Sequence, residues 1–113
     1  MADLVIWKFR VPMTDGFTIS MPTGAKILVV QMQRDEPQMW ALVDPEAPLT
    51  DKHFRIVGTG HQHPAQQFRS WRYQGTFQMH GGALVWHVFE EPPAFPGGKV
   101  LRQQEEPAAE GDS

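Results

Sequence analysis

Residues 73–88 read YQGTFQMHGGALVWHV, two alternating runs on either side of Gly81-Gly82. Side chains that alternate between apolar and polar with a period of two indicate β-strands with one buried face, and paired glycines between such runs are typical of a tight hairpin. A two-residue loop predicts the cross-strand pairs on the core face: Phe77 with Trp86 and Met79 with Leu84. A slip by one residue would move the aromatic rings into water, so we expect this register to be strongly held.

The same alternation recurs in four upstream segments, residues 7–11, 28–33, 40–43 and 54–57. Turn-forming residues separate them: Asp15-Gly16, Thr23-Gly24, Asp35-Glu36-Pro37 and Asp44-Pro45. Short strands joined by turns favour antiparallel pairing, because parallel pairs need long crossover connections. We therefore predict a mainly β protein, an antiparallel meander sheet or a small open barrel. The segment 64–71 is the one short helix that the sequence predicts, with Pro64 at its first position.

A chain of 113 residues is long enough for one domain with one core. Residues 1–90 contain the alternating segments and are predicted to form that domain. From residue 91 onward the chain is rich in proline, glycine and acidic residues and has few apolar side chains. Little apolar burial remains there to offset the entropy of ordering, so we predict a disordered acidic C-terminal tail over residues 91–113.

Charge and composition exclude several classes of partner. Residues 1–89 carry seven acidic and eight basic side chains and are nearly neutral, so duplex nucleic acid is not an expected partner. The chain has no cysteine and no basic leader before an apolar run. It also lacks an apolar stretch near the ~20 residues of a membrane span. We expect a cytoplasmic protein without membrane contact.

A candidate ligand site begins at the glycines of the segment Gly58–Gly60. Glycine lets a backbone approach a ligand closely, and Thr59 with its neighbouring N–H groups suits an anion. Arg55 on the same strand would supply a cation, and a tryptophan would offer a stacking surface. The alternative for each is structural: a strand exit, a solvated arginine and a core ring. The predicted ligand-binding residues are Arg55, Thr59, His61, Gln78, His80, His87 and Trp40.

Metal and acid–base chemistry are weaker alternatives. The spacing of His61 and His63 allows both rings to face one ion, but no carboxylate lies at a ligand spacing from them and Pro64 marks a loop. Solvated loop histidines are therefore the preferred interpretation, and no metal site is predicted. Candidate acid–base carboxylates occur only in the segment Asp44–Asp51, where Asp before Pro is typical of a turn. No cofactor is predicted.

Several segments together resemble a family of small proteins of unknown function encoded by tailed bacteriophages and prophages. The resemblance covers residues 4–89, and the segments that carry it are residues 6–9 (IWKF), 21–26 (MPTGAK), 40–48 (WALVDPEAP), 55–61 (RIVGTGH), 75–78 (GTFQ) and 81–89 (GGALVWHVF). It implies an accessory protein of viral origin that acts in a bacterial cytoplasm. No activity and no site residue follow from it.

Three functional hypotheses remain open at this point. The first is a non-enzymatic binding protein that sequesters a nucleotide or another small anionic signal of host immunity. The second is an interaction protein that blocks a host protein through a sheet edge or a flat surface. The third is a metal-dependent hydrolase. Because a small open sheet leaves unpaired edges, we also expect a homo-oligomer, with a dimer as the simplest form.

Overall fold

A computed structural model describes residues 3–92 of the chain. This part contains seven strands and one short α-helix. Their bounds are β1 Val5–Arg10, β2 Gly16–Pro22, β3 Lys26–Gln33, β4 Glu36–Val43, β5 Leu49–Gly58, α1 Ala65–Ser70, β6 Arg72–Met79 and β7 Leu84–Glu91. The predicted mainly β class with one short helix is confirmed. Pro64 occupies the N-cap of α1, one position before the predicted one.

The strands divide into two antiparallel sheets. Sheet A has the order β1-β4-β3, and sheet B has the order β2-β5-β7-β6. The chain changes sheet after β1, after β2 and after β4, so neighbours in sequence often lie in different sheets. The sequence prediction misses β2, because it treats Asp15-Gly16 and Thr23-Gly24 as punctuation and overlooks the strand between them.

The last hairpin has the predicted register. Phe77 is opposite Trp86, Met79 is opposite Leu84, and Thr76 is opposite His87. The connection is longer than the predicted two residues, since β6 ends at Met79 and residues 80–83 form a turn. The Ala83 N–H donates to the His80 carbonyl at 3.1 Å and closes this turn. Leu84 differs from the expectation because it lies at the strand end, where it is 41% exposed.

One hydrophobic core lies between the two sheets. All seven strands contribute to it, and its most deeply buried side chains are Phe9, Phe17, Ile19, Met21, Met39, Ala41, Phe54 and Val88. From Met39 to Val43 the burial in β4 alternates, because Met39, Ala41 and Val43 point inward while Trp40 and Leu42 point outward and are half-buried. Each sheet therefore has one inner face and one outer face.

The two sheets come closest where β3 passes β6. A Cβ atom built on Gly75 would lie 2.8 Å from both Cβ and Cγ2 of Val30. Such distances are well below van der Waals contact, so only glycine fits at position 75 without a shift of the neighbouring strand. The pairing of β6 with β7 also shifts register between Tyr73 and Gly75, as in a β-bulge. This contact brings the edge of sheet A against the edge of sheet B.

The C-terminal part of the domain ends within sheet B. Strand β7 continues to Glu91, one residue beyond the predicted domain boundary. The predicted tail otherwise falls on residues 93–113, which lie outside the described residues. Within residues 3–92 no helix has the length and apolarity that a membrane crossing requires.

The Gly75–Val30 contact makes a testable prediction. Gly75→Ala should lower the free energy of unfolding by about 1–3 kcal/mol, because the added methyl group overpacks the junction of the sheets. Gly16→Ala is the matched control, since its Cβ would lie 3.3 Å from the flexible side chain of Arg55 and 3.5 Å from the Phe54 carbonyl oxygen, which is an ordinary van der Waals contact. Urea denaturation of both variants measures the difference, and equal losses would contradict the proposed steric limit.

Candidate functional site

The outer face of sheet B collects the polar side chains of its central strands. Arg55 and Val57 alternate with the core residues of β5 and point outward, each beside a residue of β7. Their cross-strand partners are Phe89 for Arg55 and His87 for Val57. Thr76 of β6 continues the second of these rows next to His87. The sheet thus places a cationic, an imidazole and a hydroxyl group on one surface.

His87 is held between two threonines. Its Nε2 lies 2.8 Å from the Thr59 Oγ1, and its Nδ1 lies 2.9 Å from the Thr76 Oγ1. The Thr59 hydroxyl donates to the Val85 carbonyl at 3.3 Å, so it accepts from the ring. An uncharged His87 then carries its hydrogen on Nε2 and accepts from Thr76 at Nδ1. Both ring nitrogens are satisfied within the protein.

An aromatic cluster lies beside this polar row, where α1 covers sheet B. Phe68 and Trp71 pack on Phe89 with ring centroids 5.7 and 5.8 Å apart, respectively. The guanidinium of Arg55 lies over the Trp71 ring, 5.4 Å from its centroid. This geometry is a cation–π contact, and it keeps Arg55 against the cluster. Phe68 of α1 and Trp71, directly after the helix, therefore cover Phe89 on the outer face of sheet B.

The structure brings some of the predicted ligand-binding residues together. Arg55, Thr59 and His87 lie on the outer face of sheet B, and Gln78 follows Thr76 along β6 on the same face. Thr59 comes directly after β5, which confirms the strand exit at Gly58. The polar atoms of Thr59 and His87 bond to each other, so the set is organised mainly by contacts within the sheet.

The other three predicted residues lie elsewhere. Trp40 points outward from sheet A, as a cross-strand partner of Lys8 and Val29. His61 folds back over Gly58 on the core side, where its ring meets the edge of Trp86 at a centroid distance of 6.3 Å. His80 lies in the turn after β6 and has a positive φ of 54°. A single ligand does not reach all seven residues.

The metal and acid–base alternatives also separate in space. His63 packs on the rings of Phe68 and Trp71, away from His61. Within residues 3–92 no group of three or more histidine, aspartate or glutamate side chains is placed to hold a metal ion. The Asp44 carboxylate accepts from the Glu46 N–H at 3.0 Å, which confirms the predicted turn.

Four shallow pockets on the described surface lie away from Arg55 and His87. One lies between the β2–β3 turn and the ends of β5 and β7, lined by Asp51, Lys52 and Glu90 among others. Two adjoin the turns at Asp35 and His80. The fourth lies near Arg72 and Glu91. None of these four has Arg55, Thr59 or His87 in its lining.

The outer face of sheet A is different, because apolar side chains are exposed there. Ile6 and Leu42 are cross-strand partners, and so are Trp40 and Val29. Ile6 is 52% exposed, Leu28 in the bulge of β3 is 44% exposed, and Val29 is 36% exposed. We call these five residues, Ile6, Leu28, Val29, Trp40 and Leu42, the sheet A patch. No element within residues 3–92 covers the patch as α1 covers sheet B.

Basic side chains flank the sheet A patch. Lys8 is the cross-strand partner of Trp40, and Lys26 is the partner of Leu42. The Lys8 Nζ also donates to the Gln33 Oε1 at 3.0 Å. The sequence prediction includes only Trp40 from this surface. The patch is nevertheless indicated in the sequence, because β3 and β4 have apolar residues at both alternating positions. This pattern is typical of strands with two covered faces.

The comparisons with known proteins give a family and no function. A family model described as "Domain of unknown function (DUF7352)" matches residues 3–98. No curated protein and no solved structure matches the chain.

The hydrogen bonds of His87 predict its tautomer. In the uncharged ring, ¹⁵N NMR should show the hydrogen of His87 on Nε2. Thr76→Val removes the donor to Nδ1 and should lower the free energy of unfolding by about 1–2 kcal/mol. Thr50→Val is a matched control on the exposed end of β5, where the lost bond to the Thr23 hydroxyl is open to water and should cost less. A ring with its hydrogen on Nδ1 would contradict the assigned network.

Proposed function

The chain belongs to the DUF7352 family, and because that family has no assigned function, we propose from the geometry alone that this protein is a non-catalytic binding protein whose target is another protein. The sheet A patch is the observation that carries the proposal. It is a flat, uncovered group of aliphatic and aromatic side chains on a sheet whose inner face already forms the core. Exposed apolar surfaces of this kind are typical of protein interaction sites.

The composition of the patch suggests the chemistry of its partner. A tryptophan with neighbouring aliphatic residues is the usual centre of a protein interface. Lys8 and Lys26 stand beside that centre, so a complementary surface has an apolar middle and acidic residues at its rim. A host protein blocked by a phage accessory protein, the setting that the sequence resemblance suggests, would be one such partner.

The outer face of sheet B supports this choice by contrast. The side chains of Thr59, His87 and Thr76 bond to one another, and the Phe89 ring is packed under Phe68 and Trp71. A surface whose hydrogen bonds are already made within the protein gains less from a ligand than an uncovered apolar one does. The outer face of sheet A is therefore the surface better suited to association with another protein.

Site-specific cross-linking tests the proposal. A photo-reactive amino acid placed at Val29 or at Leu42 should capture the same protein in the native cell, because both positions face the partner. The same probe at Gln78, on the outer face of sheet B, is the matched control and should not capture it. Different proteins at the two sheet A positions, or equal capture at all three, would contradict the proposal.

Charge substitutions then test the chemistry of the captured partner. Leu42→Glu should weaken binding by at least tenfold, since it places a carboxylate in an apolar contact beside an acidic rim. Leu42→Lys should weaken binding less, because the new cation faces acidic groups. Isothermal titration of both variants measures the order, and the reverse order would exclude an acidic rim on the partner.

A second candidate function rests on one observation, that sheet B places Arg55, Thr59 and His87 on one face beside Trp71. A small anionic ligand such as a nucleotide would use the guanidinium and stack on the exposed Tyr73. A nucleotide at 100 times its dissociation constant would add about 2.7 kcal/mol of stability. A thermal shift of several degrees that is lost in Arg55→Gln would support this candidate. No shift across a nucleotide panel would exclude it.

A further inference from the structure

The outer face of sheet B contains a continuous chain of hydrogen bonds between four side chains. The Tyr73 hydroxyl bonds to the Thr76 hydroxyl, which bonds to Nδ1 of His87 at 2.9 Å. On the other side of the ring, Nε2 of His87 bonds to the Thr59 hydroxyl at 2.8 Å. The chain ends at the Val85 carbonyl, which accepts from Thr59 at 3.3 Å. It thus links β6 and β7 to the residue that follows β5.

The hydrogens of this chain all point the same way. A carbonyl only accepts, so the Thr59 hydrogen is used at Val85 and the His87 ring donates from Nε2. Nδ1 of the uncharged ring is then an acceptor and takes the Thr76 hydrogen, while Thr76 accepts from Tyr73. A hydroxyl oxygen has two lone pairs. One lone pair of Thr76 therefore has no partner in the described part of the chain, and Thr76 is only half-buried.

The two threonines bonded to His87 therefore differ in reactivity. A nucleophilic hydroxyl needs a base that takes its hydrogen and a lone pair that is free to attack. Thr76 has both, because Nδ1 accepts its hydrogen. Thr59 gives its hydrogen to a carbonyl, which is too weak a base for this role. We propose that Thr76 is a covalent modification site whose hydroxyl accepts an acyl group from an activated ester, with His87 as the general base.

The acyl transfer is complete with the ester as the only co-reactant. The Thr76 Oγ1 attacks the ester carbonyl carbon and forms a C–O bond, while its hydrogen passes to Nδ1 of His87. The bond to the leaving group then breaks, and the leaving group departs with the electron pair and takes up the proton from His87. Thr76 is left as an ester and His87 as the uncharged ring. The reaction modifies the chain once and requires no turnover.

An irregularity of β6 builds this arrangement. Residues 73 and 76 are three apart and would lie on opposite faces of a regular strand. The register shift between Tyr73 and Gly75 places both side chains on the outer face, where their hydroxyls meet. Bulges are frequent beside active sites because they re-aim a side chain. Here the bulge brings a donor to one lone pair of Thr76 and so fixes the direction of the other.

The surroundings of Thr76 favour an apolar acyl group. Tyr73 packs edge-on against Phe89 with ring centroids 5.7 Å apart, and Phe89 continues into the cluster with Phe68 and Trp71. Tyr73 is 59% exposed, so the side of the cluster that it forms is open to solvent. An aliphatic acyl chain carried by Thr76 would lie on these rings and bury apolar area there. The expected donor is therefore an activated ester with an apolar acyl chain.

Acylation of the full chain by p-nitrophenyl hexanoate tests the proposal, with peptide mass spectrometry to locate the acyl group. Thr76 should be acylated about a hundred times faster than Thr50. Thr50 is the control within the same molecule, because its exposed hydroxyl bonds to the Thr23 hydroxyl and not to an imidazole. Equal rates at Thr76 and Thr50, or faster acylation of Thr59, would overturn the proposal. The Thr76 site lies apart from the sheet A patch, so a failure of either one leaves the other intact.

Variants separate the nucleophile from the base. His87→Asn keeps an amide acceptor but no basic nitrogen, and it should slow acylation of Thr76 about a hundredfold. Thr76→Val keeps His87 and should lose the rapid release of p-nitrophenolate, whereas Thr76→Ser should retain it. Unchanged release from Thr76→Val would show that the imidazole itself is acylated and would overturn the proposal.

Thr59 is a positioning residue in this scheme, because its hydroxyl holds the hydrogen of His87 on Nε2 and so leaves Nδ1 basic. Thr59→Val should slow acylation of Thr76 about tenfold. It should also move part of the ring hydrogen to Nδ1, as seen by ¹⁵N NMR. Thr59→Ser should restore both the rate and the tautomer. Acylation of Thr59→Val at the wild-type rate would contradict the assigned direction of the chain and overturn the proposal.

Discussion

The close approach of Gly75 to Val30 is the constraint on which the architecture depends. Two small sheets bury their apolar faces only if they are held face to face, and here one edge of each sheet meets the other at a point without a side chain. The core that results draws on all seven strands and contains the rings of Phe9, Phe17 and Phe54. A larger residue at position 75 would push β3 away from β6 and loosen the packing of the adjacent core.

The two outer faces then have different roles. On sheet B, α1 places Phe68 and Trp71 over Phe89, and the polar row beside them is closed by the bonds of His87. On sheet A, the patch around Trp40 and Leu42 has no cover within the described residues. The fold itself therefore covers part of the outer face of sheet B, whereas the outer face of sheet A is available for association.

The sequence predicts local features well and long-range ones poorly. The register of the last hairpin follows from Gly81-Gly82 and the alternation around it, because both signals lie within sixteen residues. The division into two sheets does not follow, since a strand's period shows which side chains share a face and not which strand lies next to it. Strand β2 is missed because its segment is short and has turn-forming residues at both ends, which obscure its strand pattern.

The candidate site shows the same limit. Arg55, Thr59 and His87 are found together because they belong to strands that pair directly. Trp40 is separated from them because its strand belongs to the other sheet. The position of His61 depends on Gly58, because the His61 ring occupies the space that a side chain at position 58 would take. The sheet A patch is readable in the sequence only as an excess of apolar residues on both faces of β3 and β4. A buried central strand gives the same pattern.

The alternation of the chain between sheets also has a consequence for how the protein forms. Only β3–β4 and β6–β7 join consecutive strands, whereas β1 pairs with β4 and β2 pairs with β5. During synthesis at about 5–20 residues per second, β1 waits a few seconds for its partner to leave the ribosome. Its apolar residues are exposed throughout that time. Strand β2 waits as long for β5, so the two strands made first both depend on partners that are synthesised later.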